Sequence, residues 1–146
     1  MSLRYKSLGE VHKDFHVLLC STIHYLTENY GEDSVETIIR NLTHEVYRSI
    51  HEGLKKGDTS EIVEFWHYYL TREGGDFLIE NTKEGVRLIV RKCPALCHFN
   101  TLGMKCDPIL CHATKLFNKT ILEDTPFEFE FVKTGDFSCE QIIKKK

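Results

Sequence analysis

The chain has 146 residues, of which 41% are hydrophobic and 28% charged, and its formal net charge is −3 at pH 7. That length suits one domain with a proper core, and the slight acidity argues against nucleic acid, which needs a concentrated basic surface. No apolar run nears the roughly 20 residues that cross a bilayer, and Met1 to Gly9 lacks the apolar stretch of a signal peptide, so the expectation is a cytoplasmic protein without a membrane partner.

From Glu10 to Tyr30, Val11, Phe15, Leu18, Leu19, Ile23, Leu26 and Tyr30 recur at helical spacing, and Gly31 stands where such a helix would end. A second helix, capped by Asp33 or Ser34, is predicted to carry Val35, Ile38, Ile39, Leu42, Val46, Ile50 and Leu54 along one stripe as far as Lys55-Lys56-Gly57. Asp58, Thr59 or Ser60 caps a third, with Ile62, Phe65, Trp66, Tyr69 and Leu70 on one side before Gly74-Gly75 breaks it. The pattern then turns to β. Phe77 to Thr82 and Val86 to Lys92 flank the turn-like Lys83-Glu84-Gly85, and Phe127, Phe129 and Phe131 alternate with Glu128 and Glu130 before Thr134-Gly135-Asp136 leads into Phe137 to Ile143. Between these hairpins, Pro94 and Asp107-Pro108 suit the starts of short helices. The expected fold is α+β: N-terminal helices (9–74) packed on a C-terminal antiparallel sheet (76–143) built from two hairpins with short helices between them, all in one domain, 1–146.

Five of the six cysteines lie between Cys93 and Cys139. With a core available and a reducing compartment expected, disulfide staples are unnecessary, so the choices are free thiols, metal ligands or a catalytic thiol. Cys93 and Cys106 stand at expected helix starts, where the macrodipole and exposed N–H groups lower a thiol's pKa. Cys111 could instead be activated by an imidazole, and His98 suits better than the adjacent His112, because neighbours on a helix do not face each other. Cys97 and Cys139 read more simply as small buried hydrophobes. Cys93, Cys97, Cys106 and Cys111 could together hold zinc or an iron–sulfur cluster, but their x3 and x4 spacings lack the Cys-x2-Cys knuckle. Metal therefore ranks below a catalytic or ligand-binding thiol, and no cofactor is favoured.

Three motifs carry a resemblance: Arg91-Lys92-Cys93-Pro94 after a strand, Leu110-Cys111, and Gly135-Asp136-x-x-Cys139. With the first helix ending near Tyr30-Gly31-Glu32, they make the chain resemble the L-2-amino-thiazoline-4-carboxylic acid hydrolase family over nearly its whole length. It departs from that pattern at Thr114, where the family has an aspartate, and at Cys139-Glu140-Gln141, which lacks an Asp/Glu-Phe step. The ending is also similar to that of 4-vinyl reductase domains, small-molecule binders whose glycine-rich helix this chain lacks. The resemblance implies a hydrolase that opens the thiazoline ring of 2-aminothiazoline-4-carboxylate toward carbamoyl-cysteine. A mechanism can be sketched in which a thiolate from Cys93 or Cys111 attacks the amidine-like carbon and His98 or His112 shuttles protons. Arg87 or Arg91 would hold the substrate carboxylate, with Cys106 and Asp107 beside it.

His12, His16, Cys20 and His24 follow one another at four-residue steps, and His44 and His51 are seven apart. Each step of four drifts by about 40° at 3.6 residues per turn, so the row cannot face one ion, and it reads as the polar border of the apolar stripe. Two other readings stay open beside the enzyme. One is a non-catalytic sensor or carrier binding a small molecule or metal; the other is an interaction domain, for which a homodimer through the apolar helices is the natural form.

Overall fold

At Gly74-Gly75, where helical spacing gives way to alternation, the chain passes from helix to sheet. The computed structural model describes residues 11–105 and 107–146, so the expected helix start at Glu10 and the expectation for Cys106 lie outside the described residues, as does the Asp107 side chain. Among the described residues there are six helices and one four-stranded sheet, an α+β fold with the helices first and the strands late.

The first helix, α1 (Asp14–Tyr30), buries His16, Cys20 and Ile23 and stops at Gly31, whose φ of 80° a glycine adopts without strain. Where one long second helix is expected there are two, α2 (Glu32–Glu45) and α3 (Arg48–Lys55). The chain bends at Val46 and Tyr47, whose amides both reach the Leu42 carbonyl, at 2.9 and 3.4 Å. The bend gives the stripe two partners: Val35 and Ile39 pack with Ile23 of α1 and with Ala113 and Leu116, while Ile50 and Leu54 turn onto the sheet. Tyr47 fills the corner against Phe65 and Phe117. His51 Nδ1 ties α3 to the Ile121 carbonyl at 2.8 Å. Helix α4 (Ser60–Arg72) starts where Asp58 accepts hydrogen bonds from the Ser60 amide and hydroxyl.

Strands β1 (Asp76–Asn81) and β2 (Gly85–Lys92) form the first hairpin, β3 (Phe127–Gly135) and β4 (Ser138–Lys145) the second. They join through antiparallel β2–β4 pairing, which gives the order β1-β2-β4-β3. Between the hairpins run α5 (Pro94–Thr101), which is short as expected, and α6 (Asp107–Ile121), which reaches 15 residues.

Alternation sorts the sheet's two faces. Val86, Leu88, Val90, Phe127 and Ile143 are buried beneath Ile50, Leu54, Ile62, Trp66 and Leu70, each worth about 1.5–3 kcal/mol by the area it removes from water. The opposite face carries ion pairs: Arg87 with Glu80 and Glu140, Arg91 with Asp76, and Lys144 with Glu128 and Glu130. A second cluster, Cys20, Ala95, Leu96, Phe99 and Leu110, joins α1, α5 and α6. Phe15, Leu18 and Tyr25 of α1 and Ile38 and Leu42 of α2 are exposed. No described helix is long and apolar enough to cross a membrane.

Candidate functional site

Cys93 lies where β2 has ended and α5 begins. Proline restricts the residue before it to extended backbone, and Cys93 has φ −70° and ψ 118°, with Pro94 at the first helical position. Its amide donates to the Phe137 carbonyl at 2.8 Å, pinning the junction to the β3–β4 turn. Its side chain packs against both hydrophobic clusters. The Ala95 and Leu96 N–H groups at the start of α5 favour its thiolate, as expected at a helix start, but the Cys93 side chain makes no capping hydrogen bond. The expected lowering of its pKa is nonetheless overturned, since burial raises it by more than these donors lower it, and Cys111 and Cys97 oppose ionisation further.

Cys139, on the inward face of β4, is pushed up to about 11, chiefly by burial and then by Cys93 and Cys111, while Gln141 opposes the rise. Cys93, Cys111 and Cys139 thus lie within one another's electrostatic reach, and Cys93, Cys97 and Cys139 carry free thiols. Gln141 Nε2 approaches Cys139 Sγ at 3.9 Å, and its Oε1 accepts from Asn118 Nδ2 of α6 at 3.2 Å. Asn118 Oδ1 is buried without a partner among the described residues. Polar groups therefore run from the thiols into the core.

On the other side of Cys93 is the end of α4. Gly74, at φ 72°, turns the chain out of the helix, and Gly75 donates to the Leu70 carbonyl at 2.8 Å. A Cβ on Gly75 would stand 3.3 Å from both the Leu70 carbonyl and Pro94 Cδ, so the glycine lets the helix end approach the Cys93–Pro94 step. Just before this turn, Glu73 is 5% exposed and faces His16, 2% exposed, with its two carboxylate oxygens 3.0 and 2.9 Å from Nε2. The Tyr69 hydroxyl also bonds to Glu73 and is held protonated far above the ordinary tyrosine range, first by burial, then by the nearby Glu73 carboxylate. Tyr69 and Phe99 stand edge-on to the imidazole, each with centroids 6.4 Å from it. His16 Nδ1 has no partner among the described residues.

The border reading of the histidine row therefore fails at His16, which is core, while His12 and His24 are exposed. Glu73 carries no signal in the sequence, and Tyr69 stands there only as a member of the third helix's apolar side. Of the residues that were, Cys93 and Cys111 come together, with Cys97 and Cys139 beside them. His98 does not join Cys111 as its base; its Nε2 pairs with Asp14 at 2.9 Å. His112 is half exposed, 4.0 Å from Glu32. Arg87 and Arg91 stand on the sheet's outer face, opposite the thiols, so holding a substrate carboxylate there does not fit. The period-2 alternation with Val86, Leu88 and Val90 already carried that information. Among the described residues no three of His, Cys, Asp or Glu are placed to hold one metal ion, and Cys106 of the four-thiol set lies outside them.

A concavity of about 560 Å³ opens elsewhere, between α6 and β3, lined by Lys115, Lys119, Leu122, Phe127, Phe129 and Lys146 among others. The thiols do not line it, and Glu123 and Glu128 on its rim are held by Arg40 and Lys144. No protein family, curated protein or solved structure matches the chain.

Proposed function

We propose that the chain is a hydrolase of small sulfur-containing cyclic amidines such as 2-aminothiazoline-4-carboxylate, with Cys93 as its nucleophile. The observation that supports this reading is the position of Cys93 at the start of α5, before Pro94 and the Ala95 and Leu96 N–H groups that favour its thiolate, within electrostatic reach of other thiols and of Tyr69. The positive end of a helix is suited to hold the negative charge that the sulfur carries as it attacks or leaves.

The chemistry needs one water. The sulfur, once deprotonated, adds to the amidine carbon between ring sulfur and nitrogen. The ring C–S bond breaks, its electron pair passing to the substrate sulfur, which takes a proton. Water then adds to the same carbon, the bond to Cys93 breaks and the thiol is restored, leaving N-carbamoyl-cysteine. A reducing compartment such as the cytoplasm suits a centre built on free thiols. With 2-aminothiazoline-4-carboxylate as substrate, Cys93→Ser is expected to abolish product formation, while Cys111→Ser retains the greater part of it. Full turnover in Cys93→Ser would remove the nucleophile and with it this reading.

One observation favours a second reading, a non-catalytic sensor that binds a small molecule or metal through the thiol cluster: burial keeps the Cys93 thiol protonated at rest. Saturable binding of 2-aminothiazoline-4-carboxylate without turnover would select it.

A further inference from the structure

A buried ion pair in which every polar atom is satisfied needs no explanation beyond packing. The His16–Glu73 pair is different, because only one edge of its imidazole is used. An ionised carboxylate only accepts hydrogen bonds, so with both Glu73 oxygens on Nε2 the ring carries a proton there. In the neutral ring this leaves a lone pair on Nδ1, 98% buried as part of the side chain and without a partner among the described residues. A buried acceptor without a partner calls for an explanation, and a role in proton transfer supplies one. A carboxylate, an imidazole oriented by it and an open second nitrogen make up the arrangement of a general base.

The surroundings tie the pair to Cys93. Among the described residues the titratable partners of His16 come from α4: Glu73 on Nε2, and Tyr69, edge-on to the ring, which bonds to Glu73 and lies within electrostatic reach of Cys93. From α5 it meets Phe99, one member of the cluster on which Cys93 also packs, and Cys20 of α1 belongs to that same cluster. The aromatic walls exclude bulk water, so a proton arriving on the imidazole is stabilised mainly by Glu73.

We infer that Glu73 and His16 are the acid–base pair of the Cys93 centre, His16 Nδ1 taking a proton from the water that attacks the carbon bound to Cys93. The water O–H bond breaks and an N–H bond forms as oxygen adds to the carbon. When the carbon–sulfur bond breaks, its electron pair stays on Cys93 and the imidazolium returns the proton to that sulfur. His16 is the base and Glu73 a positioning residue. The inference rests on the hydrolase reading, because it needs a carbon attached to Cys93.

The test is intact-protein and peptide mass spectrometry of the full chain during turnover of 2-aminothiazoline-4-carboxylate. In His16→Gln the second step is expected to slow by about 10²–10⁴-fold, the usual worth of a general base, so that a substrate-mass adduct accumulates on the Cys93 peptide. The rate of adduct decay should also lose its dependence on pH where the parent shows one, which a merely structural role would not cause. Glu73→Gln keeps an oxygen for the Nε2 proton and preserves the packing, so it carries the test if His16→Gln does not fold; a smaller accumulation of the same adduct is expected. Adduct decay in folded His16→Gln or Glu73→Gln at the parent's rate and with its pH profile would overturn the inference while leaving Cys93 as nucleophile. Absence of any adduct together with full turnover in Cys93→Ser would instead overturn the hydrolase reading itself.

Discussion

Arg87–Glu140 on the outer face of the sheet and His16–Glu73 beneath α5 are polar pairs of nearly equal length, 2.7 and 2.9 Å, and physically opposite. The first has an arginine side chain 38% exposed, with water to replace either partner, while the second is 2% and 5% exposed, shut off from bulk solvent. Proximity is therefore a poor guide to consequence; desolvation decides. Removing one member of a solvated pair leaves a hydrated charge behind, and removing one member of a buried pair leaves a charge with nothing to hold it.

The sharpest way to break this contrast is Glu73→Ala, which strands His16 and the Tyr69 hydroxyl in the core. It is expected to cost about 3–5 kcal/mol of unfolding free energy in urea, the usual loss when one side of a buried pair is removed. A smaller effect comes with pH. Burial raises the Cys93 thiol above its ordinary value of 9.0, and takes Cys139 to about 11. Below pH 9 folded and unfolded chains both hold neutral thiols, so this contribution is fully present. As pH rises from 9 the unfolded chain ionises first, and stability falls until the folded thiols ionise too, near 11 for Cys139. Urea midpoints measured across that range should decline, and Cys139→Ala should make the decline shallower. Smallest of all is Arg87→Ala, for which an exposed pair implies a change of about 0–1 kcal/mol. A loss from Arg87→Ala comparable to that from Glu73→Ala would end the comparison.

Much of this was legible in the sequence because it depends on neighbours. Both hairpins follow from alternation and turn residues, and the Cys93–Pro94 step defines a helix start in two letters. The division between α2 and α3 was hidden, since the apolar stripe runs on through Val46 and only the tertiary partners of Ile39 and Ile50 differ. The thiol's pKa went the wrong way for a related reason: the helix-start donors are local and readable, whereas the burial that outweighs them comes from two clusters assembled across the chain. His16 and Glu73 lie 57 residues apart, and no spacing rule pairs them. The available signal was His16 and Cys20 sharing the face of α1 that leads to Ile23, where a polar ring needs a buried partner.

The most direct measurement is turnover of 2-aminothiazoline-4-carboxylate by Cys93→Ser and Arg87→Ala side by side, each checked for folding by its urea midpoint. The expected product is one water heavier than the substrate, formed by Arg87→Ala at close to the parent's rate and not formed by a folded Cys93→Ser. Undiminished product from Cys93→Ser, or equal loss in both variants, would contradict it.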